Sequence, residues 1–583
     1  MRLLLIWFVT FFYFTNGADC QLNPVRIKAS VISAESGEKL AYANVFNRNT
    51  LLGTATNLDG YFELPGNSLL DTVVISYIGY DDLELVLSTS FPKSIKLSPN
   101  QSLIDEIVIT AESDYLYDIL KDAINNTKTE SRESKTYYFL ETFLFEEPVE
   151  IIEAYYNGRF ADHAMQELNV KKGRIGLKSV NNRYYATTES SKLFSTYNAF
   201  KRSNFFPTSP LALNKRNLKK QFKLYLKKRF KEKDSEICLI AFSPRDKNRS
   251  SFRGTIWVDI TNNQILKLEY NLQDAEKHPF EVIGYNVIEK VDMQISKSFI
   301  KLGKEYFINS IDFNYNIEYQ DTIGNKMKAV TRAFIKAFDY DRMFTLPFFE
   351  FTRHRHQDYR NLIATEYDDH FWNNNHEFKF YDRKEQVESF INENKIENNL
   401  LYPTQKSGRK HQLQFPYIPW DSTRFKMNQA SSEVIEKSQR NIAFESQRSN
   451  FNIKMYLDVN NIGDSLAFQI STFLDPVGSF YHFPISSIDL AYMNILFDLM
   501  EIQKRKLATF ITDSNLTSIA EIEKAYWNHI DAFNTISQVY KSEVDRGRNF
   551  PKLKKWNQQV IDNLGINNIK FHGLTEDEKS NTN

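Results

Sequence analysis

The sequence is short of cysteine, glycine and proline. Only Cys20 and Cys238 occur among 583 residues, so a disulfide framework does not hold the fold together. A chain of this length can bury enough apolar surface without covalent cross-links. The 19 glycines and 16 prolines are few, whereas 31 tyrosines and 46 phenylalanines are many. Because aromatic side chains fit half-buried pleated surfaces, this composition predicts a sheet-rich protein.

An excess of charge of either sign is also absent. Lys and Arg number 73 and so do Asp and Glu, which gives a formal net charge of zero. Affinity for nucleic acid depends on positive charge, so DNA and RNA are poor partners. The 42% hydrophobic and 25% charged residues are typical of folded globular chains rather than disordered ones. The length predicts roughly three or four domains.

The N-terminus has the pattern of a secretion signal. Arg2 supplies a positive start, and residues 3–14 form an almost unbroken apolar run. That run is shorter than the roughly 20 residues that a transmembrane helix needs. Cleavage after Ala18 or Cys20 fits the small residues there. Lipidation of Cys20 is the alternative, which Asp19 immediately before it disfavours. We expect an exported chain with no transmembrane span after the signal.

A period-two pattern follows the signal. Apolar and polar residues alternate over 25–31, and strand patterns recur at 40–46, 71–77 and 83–87. The sequence Asn-Leu-Asp-Gly at 57–60 predicts a hairpin turn. Short strands at intervals of about ten residues are typical of a β-sandwich.

These strands carry a family resemblance. The run SGEKLAYANVF…GTATNLDGYFEL…VVISYIGYDD, followed by LIDEIVITA, resembles the carboxypeptidase-regulatory-like domain. The resemblance implies a prealbumin-like sandwich of the kind found in Bacteroidota envelope proteins, including N-terminal extensions of SusC-type TonB-dependent receptors. The family module is non-catalytic, so its name implies no peptidase activity here.

The central part continues the β pattern after one helix. Ser113 is placed to cap a helix through about Asn126, and strands follow over 137–349. The clearest hairpin is Gly254–Tyr270, with its turn at Asn262–Asn263. The block from LNKRNLKKQFKLYL to FRGTIWVDITNNQI resembles the region that precedes an outer-membrane barrel in longer Bacteroidota proteins. Its hairpins also resemble the curved sheets of lipoprotein carriers, which wrap an acyl chain.

The C-terminal part has a helical period. Apolar residues form one stripe from Ile488 to Ile502, and Ser518 with Glu521 forms a capping box for a further helix that ends at Gly547. We therefore predict a multi-domain, β-rich α+β fold with an N-terminal prealbumin-like β-sandwich, a central curved antiparallel β region and a C-terminal α-helical domain. The predicted divisions are a signal peptide 1–20, the sandwich 21–99, a linker and helix 100–130, a β-rich domain 131–350, a mixed segment 351–482, a helical domain 483–570 and a flexible tail 571–583.

Two histidine patterns are candidate metal sites. His278 and Glu281 have the His-x-x-Glu spacing of zinc carboxypeptidases, and His411 is a third candidate ligand. Zinc catalysis needs three converging ligands, an open position and a general base, and nothing around His411 supports that set. We favour a loop or sheet edge. The second group consists of His354, His356, His370 and His376. Two histidines at i and i+2 on a strand point to the same face, so this group could hold a metal. A solvated polar segment is the preferred interpretation.

A basic run is the other candidate. Ten basic residues lie between Lys215 and Lys233, interleaved with Phe222, Leu224 and Leu226. One hypothesis is a strand whose basic face meets anionic lipid or glycan. The preferred one is a sheet edge that lysines keep soluble.

The sequence shows no catalytic constellation. No nucleophile elbow, phosphate loop or dinucleotide fingerprint is present, and Cys238 lies in an apolar run typical of a buried residue. We expect a non-enzymatic, exported binding or assembly protein, periplasmic or outer-membrane-associated, that uses no cofactor. Its expected partners are envelope proteins, glycans or lipids, with peripheral membrane association. The alternatives are a lipid or lipoprotein carrier that uses the central sheet, and a hydrolase with a dispersed site.

Overall fold

The structure is a computed structural model. It divides into two compact units, the first ending at Pro99 and the second beginning at Asn100. No helix among its described residues is long and apolar enough to span a membrane. The described residues are 25–49, 53–57, 59–66, 71–87, 91–100, 113–180, 183–185, 187, 193–194, 197–232, 234–246, 249–280, 286–349, 362, 371–372, 384–394, 417–422, 424, 449–462, 465–481, 486–514, 516 and 518–574.

The first unit is a sandwich of two sheets. Apolar side chains from both sheets, including Val31, Phe62 and Ile75, share one core. The sandwich predicted from the period-two pattern is therefore confirmed. One sheet has the order β4-β1-β7 and the other β3-β2-β5-β6. The strands are β1 (Val25–Ser33), β2 (Asn44–Asn47), β3 (Gly53–Ala55), β4 (Tyr61–Gly66), β5 (Thr72–Ser76), β6 (Leu83–Val86) and β7 (Ser94–Leu97).

The predicted turn at residues 57–60 is present, but it does not close a hairpin. The Asn57 side chain accepts hydrogen bonds from the backbone N–H groups of Asp59 and Tyr61, each at 2.9 Å. Gly60 has φ +72°, and a Cβ there would lie 2.5 Å from the Val31 carbonyl oxygen. However, β3 pairs with β2 and β4 pairs with β1. The hairpin prediction is wrong because this turn carries the chain from one sheet to the other.

The second unit is built on one large antiparallel sheet. Its order is β10-β9-β8-β19-β18-β17-β16-β15-β14-β13, and β11 and β12 pair separately. The elements are α1 (Asp114–Asn125), β8 (Arg132–Leu144), β9 (Glu147–Ala161), β10 (Ala164–Leu177), β11 (Ser179–Val180), β12 (Arg183–Tyr184), α2 (Lys215–Gln221), β13 (Phe222–Glu232), β14 (Ser235–Pro244), β15 (Arg253–Asp259), β16 (Gln264–Leu272), β17 (Val287–Leu302), β18 (Glu305–Gln320) and β19 (Lys326–Tyr340).

The helix and hairpin predicted in this unit are confirmed. Ser113 precedes α1 in an extended conformation, although its side chain makes no capping hydrogen bond. β15 and β16 form the hairpin over 254–270, and Asn263 in its turn has φ +52°. The Asp259 carboxylate accepts hydrogen bonds from the N–H groups of Thr261 and Asn262, at 3.0 and 3.1 Å, which fixes the turn.

One face of the sheet, called here the inner face, packs against α1 and the segment 193–213. Leu116, Tyr117 and Leu120 of α1 enter the same apolar core as side chains from both halves of the sheet. Tyr117 donates a hydrogen bond to the Phe222 carbonyl at 3.0 Å and so ties the helix to β13. The segment adds Phe194, Tyr197, Phe206, Leu211 and Leu213 to this core.

The C-terminal part adds a long hairpin and helices. The elements are α3 (Lys384–Glu393), β20 (Ile418–Pro419), β21 (Ser449–Ile462), β22 (Ser465–Tyr481), α4 (Ser487–Asp513), α5 (Ile519–Val544), α6 (Phe550–Leu564) and α7 (Asn568–Phe571). Ser486 caps α4 with a full capping box, and the Ser518 hydroxyl accepts from the Glu521 N–H at the start of α5. The hairpin and the helices share one apolar core.

The turn between β8 and β9 has an unusual sequence for its backbone. Phe145 and Glu146 have φ +52° and +66°, so both central residues of this two-residue hairpin are left-handed. Such turns favour Asn-Gly because a Cβ is crowded in this conformation. The pair Phe-Glu therefore costs stability at this position.

Replacing Phe145 with Asn and Glu146 with Gly is expected to raise the free energy of unfolding by about 1 kcal/mol, since the backbone strain is relieved. Urea denaturation of the purified chain measures this. Alanine at both positions is the control, because it removes the same side chains but keeps a Cβ at each left-handed residue. A decrease in stability for the Asn-Gly variant would contradict the assignment of strain.

Candidate functional site

The structure describes only one member of the two histidine patterns. The His278 ring is partly buried and stacks on Phe280 with ring centres 5.9 Å apart. Burial lowers the pKa of His278. Its proposed partners Glu281 and His411 lie outside the described residues, as do the other candidates, His354, His356, His370 and His376. Over the part of the chain that the structure describes, no three His, Cys, Asp or Glu side chains are grouped to hold a metal. Both metal hypotheses remain predictions.

Cys238 is a buried side chain on β14. It belongs to the apolar core on the inner face. Burial raises the pKa of its thiol to about 11. The side chain therefore behaves as a small hydrophobic group, as its apolar sequence context predicts. Cys20 lies outside the described residues.

The basic run folds as a helix followed by a strand. The sequence was interpreted as a strand or a sheet edge, and its first seven residues form α2 instead. The Asn214 side chain caps that helix by accepting from the Asn217 N–H at 2.9 Å. β13 then buries Phe222, Leu224 and Leu226 in the inner-face core. The alternation seen in the sequence is thus that of the strand alone.

β13 is the last strand of the ten-stranded sheet. It pairs with β14, with a bulge between Leu226 and Lys228. An edge strand presents unpaired backbone groups, and lysines together with a bulge are common protections against unwanted strand pairing. The preferred sequence interpretation, a sheet edge kept soluble by lysine, agrees with this position.

Part of the positive charge at this edge is neutralised within the fold. Two lysines of α2 pair with aspartates of α1: the ammonium of Lys219 lies 2.8 Å from the Asp114 carboxylate, and Lys215 pairs with Asp118. On the sheet, Arg229 pairs with Glu236. The first two pairs bind α2 to α1. The other described basic side chains of the run form no ion pair with any described residue, and we name them the basic edge; they are Arg216, Lys220, Lys223, Lys227, Lys228 and Lys231.

Large buried side chains of α1 and of residues 194–206 pack against the inner face. A lipid carrier needs an apolar cavity against the sheet. That position is filled by Leu116, Tyr117, Phe194, Tyr197 and Phe206, all buried. Carriage of an acyl chain by this sheet stays a prediction.

Sequence inspection missed a buried carboxyl on the inner face. Glu150 accepts hydrogen bonds from the Thr142 hydroxyl and from both the N–H and the hydroxyl of Thr187, each at 2.9 Å. Glu150, Thr142, Thr331 and Tyr315 are successive cross-strand neighbours on β9, β8, β19 and β18. Burial raises the pKa of Glu150 to about 7 despite these hydrogen bonds. The carboxyl anchors the segment that contains Thr187 to the sheet.

A second buried cluster joins β10 to the C-terminal hairpin. Lys171 pairs with Asp458 and donates to the Val459 carbonyl at 3.0 Å, and Lys172 lies 2.9 Å from the other Asp458 oxygen. Lys172 also donates to Tyr456 and Gln469. A register shift between Val170 and Lys172 lets two consecutive lysines reach one carboxylate. We name Lys171, Lys172 and Asp458 the lysine–aspartate cluster.

A third buried network lies in the helical part. Asp498 on α4 accepts from Arg424 at 2.7 and 2.9 Å, from the Asn568 amide at 2.6 Å and from the Trp420 indole at 2.7 Å. Burial raises the pKa of Asp498, against the effect of Arg424 and these donors. The network ties α4 and α7 to the segment before β21. All three of these clusters are buried. The basic edge, in contrast, is a charged feature that solvent and a partner can reach.

Comparison with known families identifies the first unit. Residues 27–109 match the model of the CarboxypepD_reg-like domain. The TonB-dependent receptor SusC of Bacteroides thetaiotaomicron is 32% identical over 91 residues, which cover 16% of this chain and 9% of the receptor. The chain thus carries a SusC-like CarboxypepD_reg-like domain at its N-terminus, and it spans only a small part of the length of the receptor.

Solved structures align with part of the chain at very low similarity. MucB is 10% identical with a TM-score of 0.17, over 39% of this chain and 94% of its own. A putative outer-membrane lipoprotein-sorting protein domain from Vibrio parahaemolyticus is 10% identical with a TM-score of 0.18, over 39% and 92%. A LolA superfamily protein from Nitrosomonas europaea is 11% identical with a TM-score of 0.15, over 40% and 95%. TM-scores this low do not establish a common fold.

Proposed function

We propose that the protein is a non-enzymatic binding or assembly protein of the cell envelope, and that its central sheet engages an acidic partner through the basic edge. The observation that carries this proposal is the set of six basic side chains on α2 and β13 without an ion pair among the described residues. Because the chain as a whole has zero net charge, the positive charges concentrated at the basic edge attract an anionic surface over a distance of about one Debye length.

Protection of the sheet edge does not account for the whole basic edge. Lysines on β13 are sufficient to discourage pairing with another strand. Arg216 and Lys220 lie on α2, which has no open edge to protect, and both are exposed. Lys215 and Lys219 on the same helix are already paired with α1. The two unpaired positions on the helix favour a binding function in addition to solubility.

Reversing three charges of the basic edge is expected to abolish most of the interaction. The variant Lys220→Glu/Lys227→Glu/Lys228→Glu should reduce retention on immobilised envelope extract by at least tenfold at low salt, because long-range attraction becomes repulsion. Retention of the unaltered chain should also fall as salt rises. Surface plasmon resonance in 50 mM and 500 mM salt measures both effects.

A matched control separates local charge from net charge. Lys506→Glu/Lys524→Glu/Lys555→Glu makes the same change in net charge at three exposed positions on α4, α5 and α6. Its binding should stay within twofold of the unaltered chain. Equal losses in both variants would contradict a binding function for the basic edge.

The proposed location is the periplasm or the periplasmic side of the outer membrane. The secretion signal predicted from the sequence and the SusC-like N-terminal domain support it. Cell fractionation followed by mass spectrometry of the mature N-terminus is expected to find the chain in the envelope fraction, starting after Ala18 or Cys20. An uncleaved N-terminus on a cytosolic chain would contradict this location.

A further inference from the structure

Three exposed apolar side chains lie at one end of the central sheet. Phe145 in the β8–β9 turn is 65% exposed, Ile323 in the β18–β19 turn is 81% exposed, and Val287 at the start of β17 is 60% exposed. We name them the apolar tips. They belong to five adjacent strands in the order β9-β8-β19-β18-β17.

The strand register places the apolar tips together. Leu144, just before Phe145, is opposite Ala329 on β19, and Gln320 on β18 is opposite both Lys326 and Val287. With strands about 4.8 Å apart, the three side chains fall within a strip about 17 Å wide. The β18–β19 hairpin extends three residues, or about 10 Å, beyond the β8–β9 hairpin.

Neither turn needs an apolar residue for its own structure. Phe145 occupies a left-handed position where Asn is favoured. In the second turn, Asp321 accepts from the N–H groups of Ile323 and Asn325 at 3.0 and 2.8 Å, so the backbone is held by the aspartate. Both large side chains are therefore retained at a cost in exposure, and Phe145 also at a cost in backbone strain. Strain held at an exposed site points to a contact made there.

The shape of this surface fits a bilayer better than a folded protein. A standard protein interface buries about 800 Å² on each partner, and three side chains of at most about 200 Å² each fall short of that. Phe145 and Ile323 lie at two separate hairpin ends, which a deformable layer of headgroups and acyl chains can accommodate.

The charges nearby indicate that this contact does not depend on anionic lipid. Lys178 pairs with Glu147 at 2.7 Å, and Lys326 pairs with Glu289 at 3.1 Å. Glu146 lies beside Phe145 in the turn itself. Without a positive excess, an attraction to negatively charged headgroups is not the source of affinity.

We propose that the apolar tips form a peripheral membrane contact, in which Phe145 and Ile323 enter the headgroup–acyl boundary of a lipid bilayer. This contact is separate from the basic edge and does not rest on the proposed function. It differs in being driven by apolar burial, so it should persist at high salt.

Vesicle binding tests the proposal. The full chain should co-sediment with phosphatidylcholine vesicles equally in 0.1 M and 1 M salt, and Phe145→Asp/Ile323→Asp should lower the partition coefficient by about tenfold or more. Phe571→Asp is the control, because Phe571 on α7 is also exposed, at 51%, yet lies in the helical part. A Phe145→Trp variant should gain fluorescence that brominated lipids quench.

Folding and alternative partners are separated by two further variants. Phe145→Asn/Glu146→Gly suits the turn better, so a loss of vesicle binding by this variant cannot come from unfolding. The basic-edge variant should bind phosphatidylcholine like the unaltered chain. A bilayer contact would be contradicted if the unaltered chain failed to bind vesicles, or if the tip variants bound vesicles as strongly as the unaltered chain. It would also be contradicted if the tip variants lost binding only to a purified envelope protein and not to vesicles.

Discussion

Replacing Asp458 with alanine is expected to lower the free energy of unfolding by about 3–5 kcal/mol, because it leaves two buried ammonium groups without a carboxylate. Lys171 and Lys172 are almost fully buried and both contact this one side chain. Their remaining partners are a few carbonyl, hydroxyl and amide oxygens, including Thr345 and Gln469. Urea denaturation followed by circular dichroism measures the loss.

Two further variants distinguish charge from packing. Replacing all three members of the lysine–aspartate cluster, with Lys171→Met/Lys172→Met/Asp458→Leu, should recover most of the stability, since an apolar substitute needs no counter-charge. Glu167→Ala removes the exposed pair with Arg159 and should cost less than about 1 kcal/mol. A loss of less than 1 kcal/mol for Asp458→Ala would show that solvent reaches the cluster.

The stability of the chain relative to a Glu150→Gln variant is expected to fall by about 3 kcal/mol as the pH rises from about 4.5 to 7. Below this window the carboxyl is protonated in both the folded and the unfolded states. Within it, the unfolded state ionises while burial keeps the folded carboxyl protonated, so unfolding becomes easier. Above pH 7 the difference should stay constant.

Denaturant titrations of the two proteins at half-unit pH steps measure this difference. Glu147→Gln is the control, because Lys178 lowers the pKa of Glu147 and the difference should then have the opposite sign. A pH-independent difference between the unaltered chain and Glu150→Gln would contradict a sealed carboxyl. It would mean that water reaches the row formed by Glu150, Thr142 and Tyr315.

Local patterns were sufficient for many elements. The alternation of β5 and of the β15–β16 hairpin comes from side chains that face one core, so each strand carries its own signal. Ser518 marks the start of α5 because capping is a contact between near neighbours in sequence, and Ser113 marks the start of α1 by its position although it makes no capping hydrogen bond. The family resemblance supplied the sandwich as a whole.

Pairings between distant residues left no local signal. Asp458 lies 287 residues after Lys171, and nothing near either residue indicates the other. The row that contains Glu150 crosses four strands that are not all consecutive in sequence. The turn at 57–60 looked like a hairpin because a turn signal does not specify which strands pair. The helical start of the basic run was missed because lysine is frequent both in helices and at sheet edges.

Photo-cross-linking in cells tests most directly whether the basic edge is a binding surface. A photoreactive amino acid at position 227 is expected to give a cross-linked envelope partner, and Lys220→Glu/Lys228→Glu in the same chain should remove it. The same probe at position 524 on α5 should give none. An absence of cross-links from position 227, or a yield that the two charge reversals leave unchanged, would contradict the proposed function.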